Sequence, residues 1–277
     1  MLGRSWTKKI ATGLSFCTLL SAAVISAQVS ADPQLTEVVA DERRGDAAKR
    51  DMYRHPTQTL SFFGIKPTDT VIELAPGAGA WYTAILAPYL KAEGQFIAAN
   101  FVTTGDEKSY YVRAGKKFLK KVEMNKDWWG DIQVVEFYPP EASKLAEPNS
   151  VDMVVSFRSL HGWHRDGNLQ DVVASVYRAL KPGGVFGVVQ HRSLPSKTNE
   201  ELRGTGYINQ NEAIALIEAA GFSLQASSEI NANAKDTKDH PKGVWTLPPS
   251  LRLKDQDKDK YLAIGESDRM TLKFVKP

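Results

Sequence analysis

Cysteine is almost missing from this chain: Cys17 is the only one in 277 residues. A single thiol cannot close an intramolecular disulfide, and it excludes the paired-cysteine zinc and redox motifs. Internal repeats and low-complexity tracts are absent too, which removes solenoids and disordered proteins from consideration. Strongly apolar runs are short. The longest, Ile10 to Ile25, is diluted by Thr, Gly and Ser, and a membrane span needs about 20 predominantly apolar residues. There is little excess charge of either sign, with 35 basic against 32 acidic residues.

What is present at the start is a signal-like layout. Arg4, Lys8 and Lys9 precede the apolar run, and Val29-Ser30-Ala31 offers small residues ahead of Asp32-Pro33. That is the three-part pattern of a secretory signal peptide over residues 1–31. Cleavage there removes three basic residues and no acidic one, taking the formal charge from +3 to 0. The expectation is a periplasmic or secreted protein with no stable membrane insertion after cleavage. It has no basic footprint for nucleic acid and, with Cys17 gone, no thiolate for catalysis or metal.

The rest, residues 32–277, reads as one domain. Residues 32–64 are expected to form a helical cap: a charged stretch from Pro33 to Arg54, then a short helix through Leu60 and Phe63 that stops at Gly64. Six apolar or β-branched runs then read as strands, at Thr70–Leu74, Gln95–Phe101, Ile132–Phe137, Val151–Phe157, Val185–Gln190 and Phe222–Glu229. Helices are expected at Ala80–Leu90, Leu169–Leu180 and Glu212–Ala220, and Met270–Val275 reads as a last, antiparallel strand. Strands separated by helices predict an α/β fold, a doubly wound Rossmann-like seven-stranded sheet. The connection over residues 230–269 exceeds ordinary loop lengths and reads as an insertion or lid.

In such a sheet ligands bind outside the carboxyl ends of the strands. The stretch VIELAPGAGAW, Val71 to Trp81, places a strand, an acid and alternating glycines there. It resembles the first motif of class I S-adenosylmethionine-dependent methyltransferases. RALKPGGVFGVV at Arg178 to Val189 resembles the helix, turn and fifth strand of the same enzymes, and VDMVVSFRSLHGW at Val151 to Trp163 their fourth strand and following loop. The likeness is nearest to a group of exported bacterial predicted methyltransferases. These share the RHP before the first strand, the FRxxHxW loop, and the tail from SEINAN to KFVKP. The resemblance implies S-adenosylmethionine as cofactor, with Glu73, Ala75, Gly77, Gly79, Asn100 and Trp163 as its contacts. Two positions depart from the wider pattern: Ala75 replaces a glycine, and Asn100 stands where an acid usually holds the ribose hydroxyls.

Methyl transfer to an oxygen or nitrogen needs positioning and a proton acceptor. His161 is the expected base and Arg158 the expected partner of a carboxylate. His191 and Arg192, past the fifth strand, read as substrate-side groups, as do Asn231, Lys235 and Asp236 in the insertion. His161, His164 and His191 without cysteine or a close carboxylate make a poor zinc set, so no metal is expected. The predicted activity is methyl transfer from S-adenosylmethionine to a small or medium polar acceptor, a small-molecule substrate. Two alternatives remain: an exported, non-catalytic ligand-binding protein that retains the fold, and an enzyme using the cleft for another reaction. Oligomeric state is left open.

Overall fold

The structure, a computed structural model, describes residues 32–277 together with Met1 and Gly3. The expected signal peptide therefore lies outside the described residues. The chain begins with α1 (Pro33–Val39), a kinked 3-10 stretch (Glu42–Arg50), α2 (Asp51–Arg54) and α3 (Pro56–Phe63). Gly64 ends α3 in the left-handed conformation, with φ +83°, as a helix-terminating glycine should.

The sheet is then laid down in alternation with helices: β1 (Thr70–Leu74), α4 (Thr83–Leu90), β2 (Gln95–Asn100), α5 (Tyr110–Met124), α6 (Lys126–Trp129), β3 (Gln133–Glu136), β4 (Val151–Phe157), α7 (Leu160–Asp166), α8 (Leu169–Ala179) and β5 (Leu180–His191). After α9 (Gln210–Ala219) and β6 (Ser223–Ser228) come α10 (Lys258–Ile264) and β7 (Arg269–Val275). The seven strands run in the order β3-β2-β1-β4-β5-β7-β6. Only β7 is antiparallel to its neighbours. This is the Rossmann-like α/β fold expected from the sequence, with the antiparallel strand at the chain's end.

Burial on both faces explains why β1 and β4 are apolar almost throughout. Successive side chains alternate between two cores. Val71 belongs to the core beneath the cap, with Leu60, Phe63 and Leu86. Ile72 belongs to the other, with Val172, Val176 and Phe274. The cap sits close: a Cβ on Gly187 of β5 would lie 2.7 Å from the Phe63 ring. That intimacy brings α2 and α3 against the sheet, and with them Arg54.

Three local readings differ from the sequence expectation. Helix α5 lies between β2 and β3, where the sequence shows no clear helix, because its buried face is only Val112, Ala114, Gly115 and Phe118. From Leu160 on, the FRSLHGW segment is a helix, α7, and not a loop, and the helix ends at Gly167 with φ +82°. Strand β5 begins at Leu180, and the Lys181–Gly184 turn is absorbed as a register shift between Val151 and Met153 of β4.

Candidate active site

Strand order reverses between β1 and β4, the switch point where a parallel sheet opens a crevice. A cavity of about 440 Å³ lies there, within the range of small-ligand and cofactor pockets. Its floor is the turn after β1. Both flanking strands leave the sheet through non-glycine residues in the left-handed region, Ala75 at φ +50° and Arg158 at φ +61°. That conformation is uncommon for residues with a Cβ, and such positions cluster at functional sites. The Arg158 amide is fixed by a 2.7 Å hydrogen bond to the Val189 carbonyl.

Of the residues singled out from sequence, Glu73, Ala75, Gly77, Gly79, Arg158, His161, Trp163 and His191 all line this cavity. Trp245 of the insertion joins them, as do Arg50 and Arg54 of the cap. Aromatic rings supply stacking surfaces, notably Phe157 lying flat on Tyr82. Glu73 is 3% exposed and accepts a 2.6 Å hydrogen bond from the Thr83 hydroxyl. Burial pushes its carboxyl up to about 7, against the pull of Thr83 and of Arg158.

The two histidines are both neutral at physiological pH. Burial lowers His161 to about 4 and holds His191 well below its ordinary value. Their tautomers follow from their neighbours. The Gln190 amide donates to the Gly206 carbonyl at 3.0 Å, which turns its NH2 group toward Nδ1 of His161 at 3.3 Å. Nδ1 of His161 is thus an acceptor, and Nε2 carries the proton. His191 meets the Ser267 hydroxyl through Nδ1, a partner able to accept or donate.

Five expected site residues lie elsewhere. Asn100 is fully buried and donates to the Gly115 carbonyl of α5 at 3.2 Å. Arg192 is held by Asp268 and Glu229. Asn231 donates to the hydroxyls of Thr59 and Thr271 at 2.9 Å. Asp236 accepts from the Tyr207 hydroxyl and from His240. Lys235 is on the surface, with its Nζ toward the Ala263 carbonyl. Two acids in the connection after β2 are also outside the cavity: Asp106 caps the Lys108 amide and Glu107 pairs with Lys116.

Of the cationic wall, the sequence singled out Arg158 alone as a site residue. Arg50, Arg54 and Arg158 line the cavity. Behind them Glu266 accepts from Arg50, Arg54 and Arg269. Against burial, which works upward, Arg269, Arg54 and Arg50 hold the Glu266 carboxyl at about 2. A hint existed in the charged stretch before β1, which runs into the sheet's ligand edge.

These features define a Rossmann-like α/β fold of the methyltransferase type, with a cavity at its switch point. Residues 88–188 match the family model described as a methyltransferase domain. That match implies S-adenosylmethionine as cofactor. Among solved structures, a SAM dependent methyltransferase from Aquifex aeolicus is similar at 20% identity and a TM-score of 0.50, over 71% of this chain and 93% of that one. The cyclase SpnF is similar at 14% identity and a TM-score of 0.53, over 81% of each chain. No curated protein sequence matches the chain significantly.

The cavity fits such a cofactor in most respects. Gly77 and Gly79 expose backbone on its floor, and aromatic rings flank it. The departure is at β2, where no side chain of the strand reaches the cavity.

Proposed function

We propose that this protein is an S-adenosylmethionine-dependent methyltransferase acting on a small polar acceptor in the cavity between β1 and β4. The observation that carries the reading is convergence. The glycine turn after β1 and the polar groups Arg158, His161 and His191 at the ends of β4 and β5 line one cavity. Residues Ala75 to Gly79 would hold the cofactor, with Glu73 beneath and Trp163 beside it. When bound, that cofactor supplies an electrophilic methyl group.

The chain's own residues divide the remaining work. His161, with its proton on Nε2, is a hydrogen-bond donor to an acceptor oxygen and not the base. His191 is the better base: Ser267 can accept the Nδ1 proton, leaving the Nε2 lone pair free. Arg158 orients an anionic group beside them. Exclusion of water falls to Trp245, which packs edge-on to His161 with ring centroids 5.8 Å apart.

Calorimetry on the full chain with S-adenosylhomocysteine tests the cofactor, and no heat at millimolar ligand overturns the reading. Label transfer from the methyl donor into a small-molecule extract tests the chemistry. His161→Ala is expected to keep homocysteine-adduct binding and to lose roughly 100-fold or more in rate, the usual cost of one well-placed donor. Loss of binding with unchanged rate per bound donor would reverse the assignment. The proposal carries with it the export expected from residues 1–31, which cell fractionation tests separately.

A further inference from the structure

The cleft is wider in its chemistry than a methyl donor requires. Three arginines, Arg50, Arg54 and Arg158, line it within one wall, and Glu73 is the single carboxylate among the described lining residues. Arg165 and Arg252 also reach the lining, but Arg165 is paired with Asp166 and Arg252 lies on the Trp245 ring. Arg158 pairs with no carboxylate among the described residues.

Arg54 is the telling residue. It is 1% exposed, with its guanidinium 4.5 Å above the Trp81 ring. Its Nε meets Glu266 at a long 3.4 Å. Nη1 and Nη2 have no partner among the described residues, and the same holds for Nη2 of Arg50. Glu266 cannot serve them all, since Arg269 and Arg50 make the closer contacts to it. A buried cation without partners is expensive. Several side by side are tolerated only where an anion completes them. One donor carboxylate engages a single guanidinium fork, which leaves the rest of the wall unanswered. The donor's sulfonium and ammonium groups would add positive charge to it.

We propose that this arginine wall is an oxyanion site for the acceptor, so that the substrate is a small molecule bearing a carboxylate or phosphate group. The inference rests on the methyltransferase reading for the word acceptor, but the site itself does not. Arg54 and Arg158 grip the oxyanion, and Arg50 and Arg269 keep Glu266 occupied. The anion's free end then points toward His161 and His191.

Titration of the full chain with inorganic phosphate and, separately, with succinate tests this without any methyl donor. Binding of either supports the site, and which one binds tells phosphate from carboxylate acceptors. Arg54→Met should weaken it roughly 30-fold or more, as truncation of a buried charge contact does. The free variant should melt no lower than the parent, because an unpaired buried charge has been removed. A structural arginine would behave oppositely, with lower melting and unchanged anion binding. Arg158→Gln, which breaks no ion pair, decides the matter if Arg54→Met does not fold. Absence of heat with both anions, or equal binding by the variants, overturns the proposal whatever the cofactor does. Loss of anion binding on saturation with S-adenosylhomocysteine would assign the wall to the donor's carboxylate and overturn it too. If the anion binds and the homocysteine adduct does not, the site stands and the methyltransferase reading falls.

Discussion

Two regions of this molecule bury many charges, and they handle them in opposite ways. In the insertion, Asp268 accepts from Arg192 at 3.0 Å, from Lys238 at 2.7 Å and from the Asn233 amide at 2.9 Å. Asp236 accepts from Tyr207, from His240 and from the amides of Lys238 and Asp268. These groups satisfy one another. In the cavity wall and just behind it, nitrogens of Arg50, Arg54 and Arg269 have no partner among the described residues, although Arg54 and Arg269 are just as buried as the two aspartates. Since buried polar groups are normally paired, the contrast separates charges that hold the fold from charges kept for a ligand. The insertion is a clamp more than a reservoir of substrate contacts, with Trp245 as its contribution to the cavity.

The sharpest way to break this comparison is to cut the satisfied network. Asp236→Ala strands the Tyr207 hydroxyl and the amides of Lys238 and Asp268 at once. It is expected to lose about 3–5 kcal/mol of stability, the usual cost of removing one partner from a buried network. Urea denaturation measures it, set against Arg54→Met, where no loss is expected. Equal destabilisation of the two variants would erase the distinction between the regions.

A second, smaller effect separates Glu73, which lines the cavity, from Glu266, which lies behind its arginines. The folded value of Glu73, about 7, stands above its ordinary 4.5 because of burial. The folded protein therefore holds that proton more tightly than the unfolded chain. Glu73 thus makes stability fall as pH rises from about 4.5 to about 7, by ~3 kcal/mol at most. Glu73→Gln should remove that slope, so its stability relative to the parent rises across the same window. Glu266 works the other way: held at about 2 by its arginines, it contributes above about 4.5 and loses its contribution as pH falls toward 2. A parent profile that stays flat between pH 4.5 and 7 would mean Glu73 has its charge compensated, with Arg158 as the compensating group.

How much of this was readable beforehand differs by element. Strands β1 and β4 were legible to the residue because both faces are buried and every position is constrained. Helix α5 was not, since Arg113, Lys116, Lys117, Lys120 and Lys121 swamp a narrow apolar stripe. At the site, the glycine turn and the polar groups after β4 and β5 announce themselves by position in the fold. The arginine wall could not be assembled from sequence. Arg50 and Arg54 come from the cap and Arg158 from the end of β4, and nothing local distinguishes the two cap arginines from solvated charges. Arg192 and Asp236 misled for the converse reason: a saturated network and a ligand site have the same composition.

Asn100 is the finest case and gives the smallest expected effect. Its strand position is where a ribose-binding acid usually stands, yet α5 crosses the β2 exit so closely that it closes over the side chain. A Cβ on Gly115 would lie 2.7 Å from the carbonyl oxygens of both Phe101 and Val102. Only glycine permits that approach, and Nδ2 of Asn100 donates to the Gly115 carbonyl, while its Oδ1 has no partner among the described residues. Asn100→Ala should therefore cost about 1 kcal/mol of stability, one net hydrogen bond, and leave homocysteine-adduct affinity within about twofold of the parent. Thermal melting and calorimetry on the same sample read both quantities. A tenfold loss of affinity would mean that α5 lifts away from β2 when ligand binds. The cavity would then extend to the second strand, and the arginine wall would be one of two polar poles instead of the dominant one.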